Sequence, residues 1–162
     1  MALYNQLFGL FIITICGFCY LISAEEVPYQ ICPTKLNVTY ACDIKSVRID
    51  PCKEALLKNK KPCKIKKGTH AGIAVDFIPK FSSDKLVNKA FWDTGFIDME
   101  FLGMEPNACE FTKCPIVSGQ EVNYNYQLEI SKSWPTNTYP IKWRLMAEGG
   151  VECCFIIKIK LF

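Results

Sequence analysis

The chain has 162 residues, half of them hydrophobic, with 19 Lys and Arg against 16 Asp and Glu. A formal charge of +3 is too small to mark a nucleic-acid binder, which needs a strongly basic face. Ten cysteines and one histidine put disulfide chemistry ahead of metal chemistry.

The first feature along the chain is the apolar run LFGLFIITICGFCYLI at residues 7–22, closed by Ser23-Ala24 and followed by Glu25-Glu26. A short apolar run ending in small residues reads as a secretory signal peptide, here residues 1–24. The run falls short of the roughly 20 residues a membrane span needs. The mature chain is then expected at residues 25–162, as one secreted, monomeric domain with one core.

Cleavage would remove Cys16 and Cys19. Eight cysteines remain: Cys32, Cys42, Cys52, Cys63, Cys109, Cys114, Cys153 and Cys154. An even number in a short secreted chain implies a disulfide framework, but counting leaves the connectivity open. Their spacings match no zinc finger and His70 is the sole histidine, so no metal or cofactor is expected. Asn37-Val38-Thr39 is a glycosylation sequon with Asn37 as acceptor.

Beyond the sequon, alternation with a period of two dominates, the mark of half-buried strands. In chain order the candidates are residues 47–49; the row Ile73, Val75 and Phe77, ended by Pro79; residues 86–92; and residues 97–102. Val122, Tyr124, Tyr126, Leu128 and Ile130 then alternate with Asn123, Asn125, Gln127 and Glu129. Tyr139, Ile141, Trp143 and Leu145 alternate with Lys142 and Arg144. Phe155, Ile157, Ile159 and Leu161 alternate with Lys158 and Lys160. Only KEALLKNK at residues 53–60 looks helical. The class is all-β, a sandwich or barrel, and the expected form is a two-sheet antiparallel β-sandwich of immunoglobulin-like type. The inward rows suit a solid core. They also suit an apolar cavity, if the sheets part at one end; periodicity does not distinguish the two.

The motifs of catalysis are missing: no nucleophile–base pair, no Gly-rich phosphate loop and no metal set, so no enzymatic activity is expected. The strongest charge feature is the cluster Lys53, Lys58, Lys60, Lys61, Lys64, Lys66 and Lys67. It reads as a solvated loop, or as a docking site for anionic headgroups or for phosphates on a microbial glycolipid.

The order of cysteines, prolines and strands adds a resemblance. Asp50-Pro51-Cys52, a lysine-rich insert, then Lys61-Pro62-Cys63 before the strand with Ile73, Val75 and Phe77 resembles the paired Pro-Cys hairpin of the ML lipid-recognition domains. Cys109 and Cys114-Pro115 look like that family's second cysteine hairpin. Trp134-Pro135, Ile141, Trp143, a cysteine and an apolar last strand complete the order. The match covers residues 42–161 and points to the Niemann-Pick type C two-like branch, small secreted carriers of sterols and fatty acids.

The resemblance implies bridges Cys52–Cys63 and Cys109–Cys114, and a third from Cys42 to the last strand. That family places its cysteine just before the first inward aromatic, here Phe155, so Cys42–Cys154 is expected, leaving Cys32–Cys153 as a fourth bridge. It also implies a ligand site lined by Ile65, Val75, Phe77, Met99, Phe101, Ile130, Trp134, Pro135, Ile141, Trp143 and Phe155, with Trp134-Pro135 at the entrance. The implied function is binding and transfer of a sterol or fatty acid, with contact to a membrane surface or membrane receptor through Lys58, Lys60, Lys61, Lys64, Lys66 and Lys67. Innate-immune recognition of microbial lipids and carriage of small apolar chemosignals are the alternatives. Extracellular fluid and a lysosomal lumen both fit.

Overall fold

The computed structural model of the chain describes residues 24–34, 38–57 and 61–162. The leader up to residue 23, the acceptor Asn37, and Lys58 and Lys60 lie outside the described residues. Within them the strands are β1 (Glu25–Glu26), β2 (Tyr29–Ile31), β3 (Thr39–Tyr40), β4 (Cys42–Asp50), β5 (Cys63–Ile65), β6 (His70–Pro79), β7 (Val87–Asp93), β8 (Asp98–Glu100), β9 (Val122–Glu129), β10 (Thr138–Met146) and β11 (Val151–Leu161).

They form two sheets. One runs β1-β4-β6-β9; the other runs β2-β11-β10-β7-β8, with β3 and β5 also paired to β11. The alternating rows face each other across the gap, because each sheet must bury its apolar face. In β9, Val122, Tyr124 and Tyr126 are buried while Asn123, Asn125, Gln127 and Glu129 are exposed. In β10, Tyr139, Ile141, Trp143 and Leu145 are buried and meet Ile159, Ile157, Phe155 and Cys153 of β11 in register. The expected two-sheet sandwich is therefore the observed fold.

Three local differences have plain causes. Of the segment expected to be helical, the described residues 53–57 carry only a 3-10 turn, Ala55–Leu57; so short a segment cannot sustain a helix of its own. β8 is shorter than the expected 97–102, because it is an edge strand paired only to β7. The strands β1, β2 and β3 are too short to show a period, and partners already in place define them.

The disulfides correct one expectation. Cys52–Cys63 and Cys109–Cys114 pair as expected, but the other two exchange partners: Cys42 bonds Cys153, and Cys32 bonds Cys154. Facing direction explains the exchange. Cys153 lies two residues before Phe155, shares its inward face and packs in the core between the sheets. It therefore reaches Cys42, at the start of β4 in the opposite sheet. Cys154 points outward, where β2 runs antiparallel to β11 with Ile31 opposite Phe155. That register brings the next residue, Cys32, against Cys154 with a Cα separation of 5.5 Å.

The outer faces are polar and paired. On the four-stranded sheet, Arg48 donates to Asp76, which also accepts from Ser46 Oγ at 2.7 Å and from Asn123. The Arg48 guanidinium, helped by Ser46 and Asn123 and opposed by partial burial, holds the Asp76 carboxyl well below its ordinary range. On the other sheet, Arg144 pairs with Glu152. Beside it, the Lys142 ammonium is 4% exposed and held by Asp98 at 2.6 Å and Asp93 at 3.1 Å.

Three outcomes follow. In Cys32→Ser, thiol alkylation and tandem mass spectrometry should label Cys154; label on Cys153 would restore the opposite pairing. Replacing both Cys42 and Cys153 by Ser opens a link across 111 residues and should cost about 4–5 kcal/mol in denaturant melts. The third concerns acid. A carboxyl with a depressed folded pKa stabilises the fold fully above about pH 4 and less as pH falls below it. Asp76→Asn should therefore cost about 1–3 kcal/mol at neutral pH and remove part of the acid-side slope. An unchanged slope between about pH 4 and 2 would show that Asp76 does not carry it.

Candidate functional site

Strand direction gives the sandwich two unlike ends. At one end β4, β7, β9 and β11 finish while β6 and β10 begin, as the pairings Asp50 with Gly72, His70 with Glu129 and Thr138 with Lys160 show. A cavity of about 230 Å³ opens there between the sheets. The longer strands and β5 give it residues from that end: Ile49 from β4, Ile65 from β5, Ala71 and Ile73 from β6, Trp92 from β7, Leu128 from β9, Tyr139 and Ile141 from β10, and Ile157, Ile159 and Leu161 from β11. Glu100 is the one charged residue among those lining it. Such a wall offers apolar contact and few directed polar groups, the usual chemistry of a site for an apolar ligand.

The mouth is built from β8 and the turn after β9. Met99, Glu100 and Phe101 face Trp134 and Pro135 across it. The Phe101 and Trp134 rings meet at 5.1 Å between centroids. The Tyr139 hydroxyl donates to the Pro135 carbonyl at 2.8 Å and steadies that turn. Glu100 is not a bare charge, for its carboxylate pairs with Lys89 at 2.9 Å.

Of the residues expected to line the site, the structure brings eight to the cavity: Ile65, Met99, Phe101, Ile130, Trp134, Pro135, Ile141 and Trp143. Val75, Phe77 and Phe155 stand apart, fully buried in solid core toward the other end. They face inward as expected, but too far along their strands to reach the cavity. Trp92, Tyr139, Ile157, Ile159 and Leu161 line it and were not in the expected set. Their alternation was visible; nothing in it told which end of each strand would open.

Behind the cavity lies a small polar knot. Asn88 and Trp143 face the Tyr124 hydroxyl, yet Asn88 Oδ1, Tyr124 OH and Trp143 Nε1 make no hydrogen bond to any described residue. Burial is the main force on Tyr124 and pushes its phenol up, only partly offset by these two neighbours. The hydroxyl thus stays neutral, and Trp143 gives the cavity an apolar ring face.

The expected lysines scatter. Lys53, Lys64 and Lys66 are exposed, Lys67 is half-buried, and Lys61 lines a separate groove beside Tyr29 and Lys158. Among the described residues no group of three or more His, Cys, Asp or Glu side chains is placed to hold a metal ion.

Known proteins agree with this geometry. The ML domain family model matches residues 26–161. An MD-2-related lipid-recognition protein of Manduca sexta is 42% identical over 123 residues, 74% of this chain and 76% of that one. The mite group 2 allergen Eur m 2 of Euroglyphus maynei is 31% identical over 117 residues, 70% of this chain and 76% of that one. Among solved structures, a Niemann-Pick type C2 protein from the Japanese carpenter ant superposes with a TM-score of 0.70 at 18% identity, over 83% of this chain and 99% of that one, a likeness of fold. With the two-sheet sandwich, its apolar cavity and a family match over nearly all the described residues, the chain belongs to the ML domain family.

Proposed function

We propose that residues 25–162 form one non-enzymatic lipid-binding domain that holds a sterol or fatty acid between its sheets and delivers it to a membrane or membrane receptor. The observation that carries this reading is the cavity of about 230 Å³ with one charged lining residue. Each CH₂ group taken from water into such a wall gains about 0.8 kcal/mol. Affinity therefore rises with apolar length without any directed chemistry. The volume lies just under the roughly 300 Å³ at which ligand pockets commonly begin. A sterol or long acyl chain thus requires the mouth to widen, and Met99 and Trp134, on its two sides, are the groups that would give way. Four disulfides and the apolar leader support export to an oxidising compartment.

A second reading, recognition of a microbial lipid, draws on the name of the Manduca relative, a lipid-recognition protein. Both readings use the same cavity and differ in the ligand.

Native mass spectrometry of the secreted protein, followed by organic extraction, should find a sterol or fatty acid at one copy per chain. A phosphorylated glycolipid would move the assignment to recognition. Ala71→Phe, which fills the cavity from β6, should reduce lipid occupancy about tenfold or more while the melting temperature holds or rises. A protein that takes up no lipid offered in excess, or an Ala71→Phe variant that binds like wild type, would sink the reading.

A further inference from the structure

We propose that the floor of the cavity recognises a hydroxyl group at the buried end of the ligand, through Trp143 Nε1, Tyr124 OH and Asn88 Oδ1. Such a contact rests on the lipid-binding reading. It narrows the ligand class to lipids whose apolar body carries a hydroxyl at the end away from the mouth.

Among the described residues, Asn88 Oδ1, Tyr124 OH and Trp143 Nε1 are the three buried side-chain polar atoms without a hydrogen bond. Each such atom costs stability, so a fold keeps few of them. These are not scattered. They converge on one point, with Asn88 and Trp143 both facing the Tyr124 hydroxyl. The fold is able to satisfy a tyrosine in the same row: Tyr126, stacked on Tyr124 at 6.4 Å between centroids, accepts the Glu105 N–H on its hydroxyl at 3.1 Å. Asn88 is held in place by its other groups. Its Nδ2 donates to the Glu105 carbonyl at 3.3 Å and its backbone N–H to the Pro106 carbonyl at 2.8 Å, which leaves Oδ1 over.

The knot sits at the deep end of the cavity. Along β10, Tyr139, Ile141 and Trp143 line the cavity in turn, and Trp143 is the last of them. Along β7, the inward positions after the lining residue Trp92 are Ala90, opposite Trp143, and then Asn88. On that strand one methyl group stands between Trp92 and Asn88.

Donor and acceptor capacity selects the ligand group. Trp143 Nε1 only donates, Asn88 Oδ1 only accepts, and the Tyr124 phenol, kept neutral by burial, does both. A ligand hydroxyl accepts from Trp143 and donates to Tyr124, which in turn donates to Asn88, so every group is used. A methyl end leaves all three unpaired. A carboxylate end would bring a buried charge with the Asn88 carbonyl oxygen set against it. An ω-hydroxy fatty acid would therefore enter hydroxyl first and leave its carboxylate at the mouth.

The test compares palmitic acid with its ω-hydroxy derivative, and shorter pairs of the same kind, on the secreted protein after removal of bound lipid. In a wholly apolar pocket the added hydroxyl weakens binding about tenfold or more. Here the hydroxy acid of best-fitting length should bind at least as tightly as its parent. In nitrogen-edited NMR the Trp143 indole N–H, identified by its loss in Trp143→Phe, should move downfield with the hydroxy acid and not with the parent. Tyr124→Phe should lower the ratio of hydroxy-acid to parent affinity about tenfold. It should also hold or raise the melting temperature of the lipid-free protein, because it removes an unpaired hydroxyl. A lower melting temperature with an unchanged ratio would show that the three atoms serve the fold, through each other or a resident water, and would overturn the proposal. A wild type that binds the hydroxy acid about tenfold more weakly than its parent would also overturn it and leave the lipid-binding reading standing. Uptake of neither acid would remove both.

Discussion

The Cys42–Cys153 bridge fixes where the two sheets are held together. It joins the first residue of β4 to the inward face of β11 and closes the sandwich at one end. Around it the core is solid: Val75, Phe77, Tyr124, Leu145 and Phe155 are fully buried there. A covalent tie at that end leaves the other end free to stand apart without exposing the whole core. The cavity lies at that other end, lined by the opposite halves of the same strands. Solid core and cavity are thus one set of inward rows, divided by distance from the bridge.

A second constraint shapes the opening. Cys52 follows β4 and bonds Cys63 of β5, which pairs with β11 in the opposite sheet. That link ties the sheets on the β5 side of the cavity end. On the far side the sheet ends in β8, a three-residue edge strand, and the facing sheet ends in β9. The mouth forms at this less tethered corner, between Met99 to Phe101 and the Trp134-Pro135 turn. Two bridges and one short edge strand therefore place the entrance.

Much of this was legible in the sequence, and the rest was hidden for definite reasons. The strands β9, β10 and β11 declared themselves because one face meets the core and the other meets water along most of their length. The rule weakens in the first half of β11, where residues 152–157 are all buried. There the Cys32–Cys154 bridge and Tyr40 pack with Ile156 on the outer face, and Arg144 pairs with Glu152, so outward no longer means solvated. Parity still held: a bridge across the sandwich needs an inward cysteine, and Phe155 marks Cys153 as inward. The same parity puts Cys154 outward, and giving it the cross-sheet role was the error. Val75, Phe77 and Phe155 illustrate a different limit. Periodicity reports which face a residue occupies. Position along the sandwich depends on strand direction and sheet order, which no local pattern carries.

The charges on the outer face complete the logic of the entrance. An edge strand of three residues has few ladder bonds to hold it. Here β8 gains its purchase from side chains: Asp98 on Lys142 and Glu100 on Lys89, besides the Phe101 N–H donated to the Ala90 carbonyl at 2.9 Å. Lys142 is the unusual member, a buried ammonium on the outer face of β10. Burial alone lowers a lysine pKa; Asp98 and Asp93 outweigh it and raise the Lys142 value, so the ammonium stays charged. A neutral side chain at that position would leave two carboxylates facing each other at the root of the hairpin. The same ammonium thus anchors the strand that borders the cavity and the turn that presents Phe96.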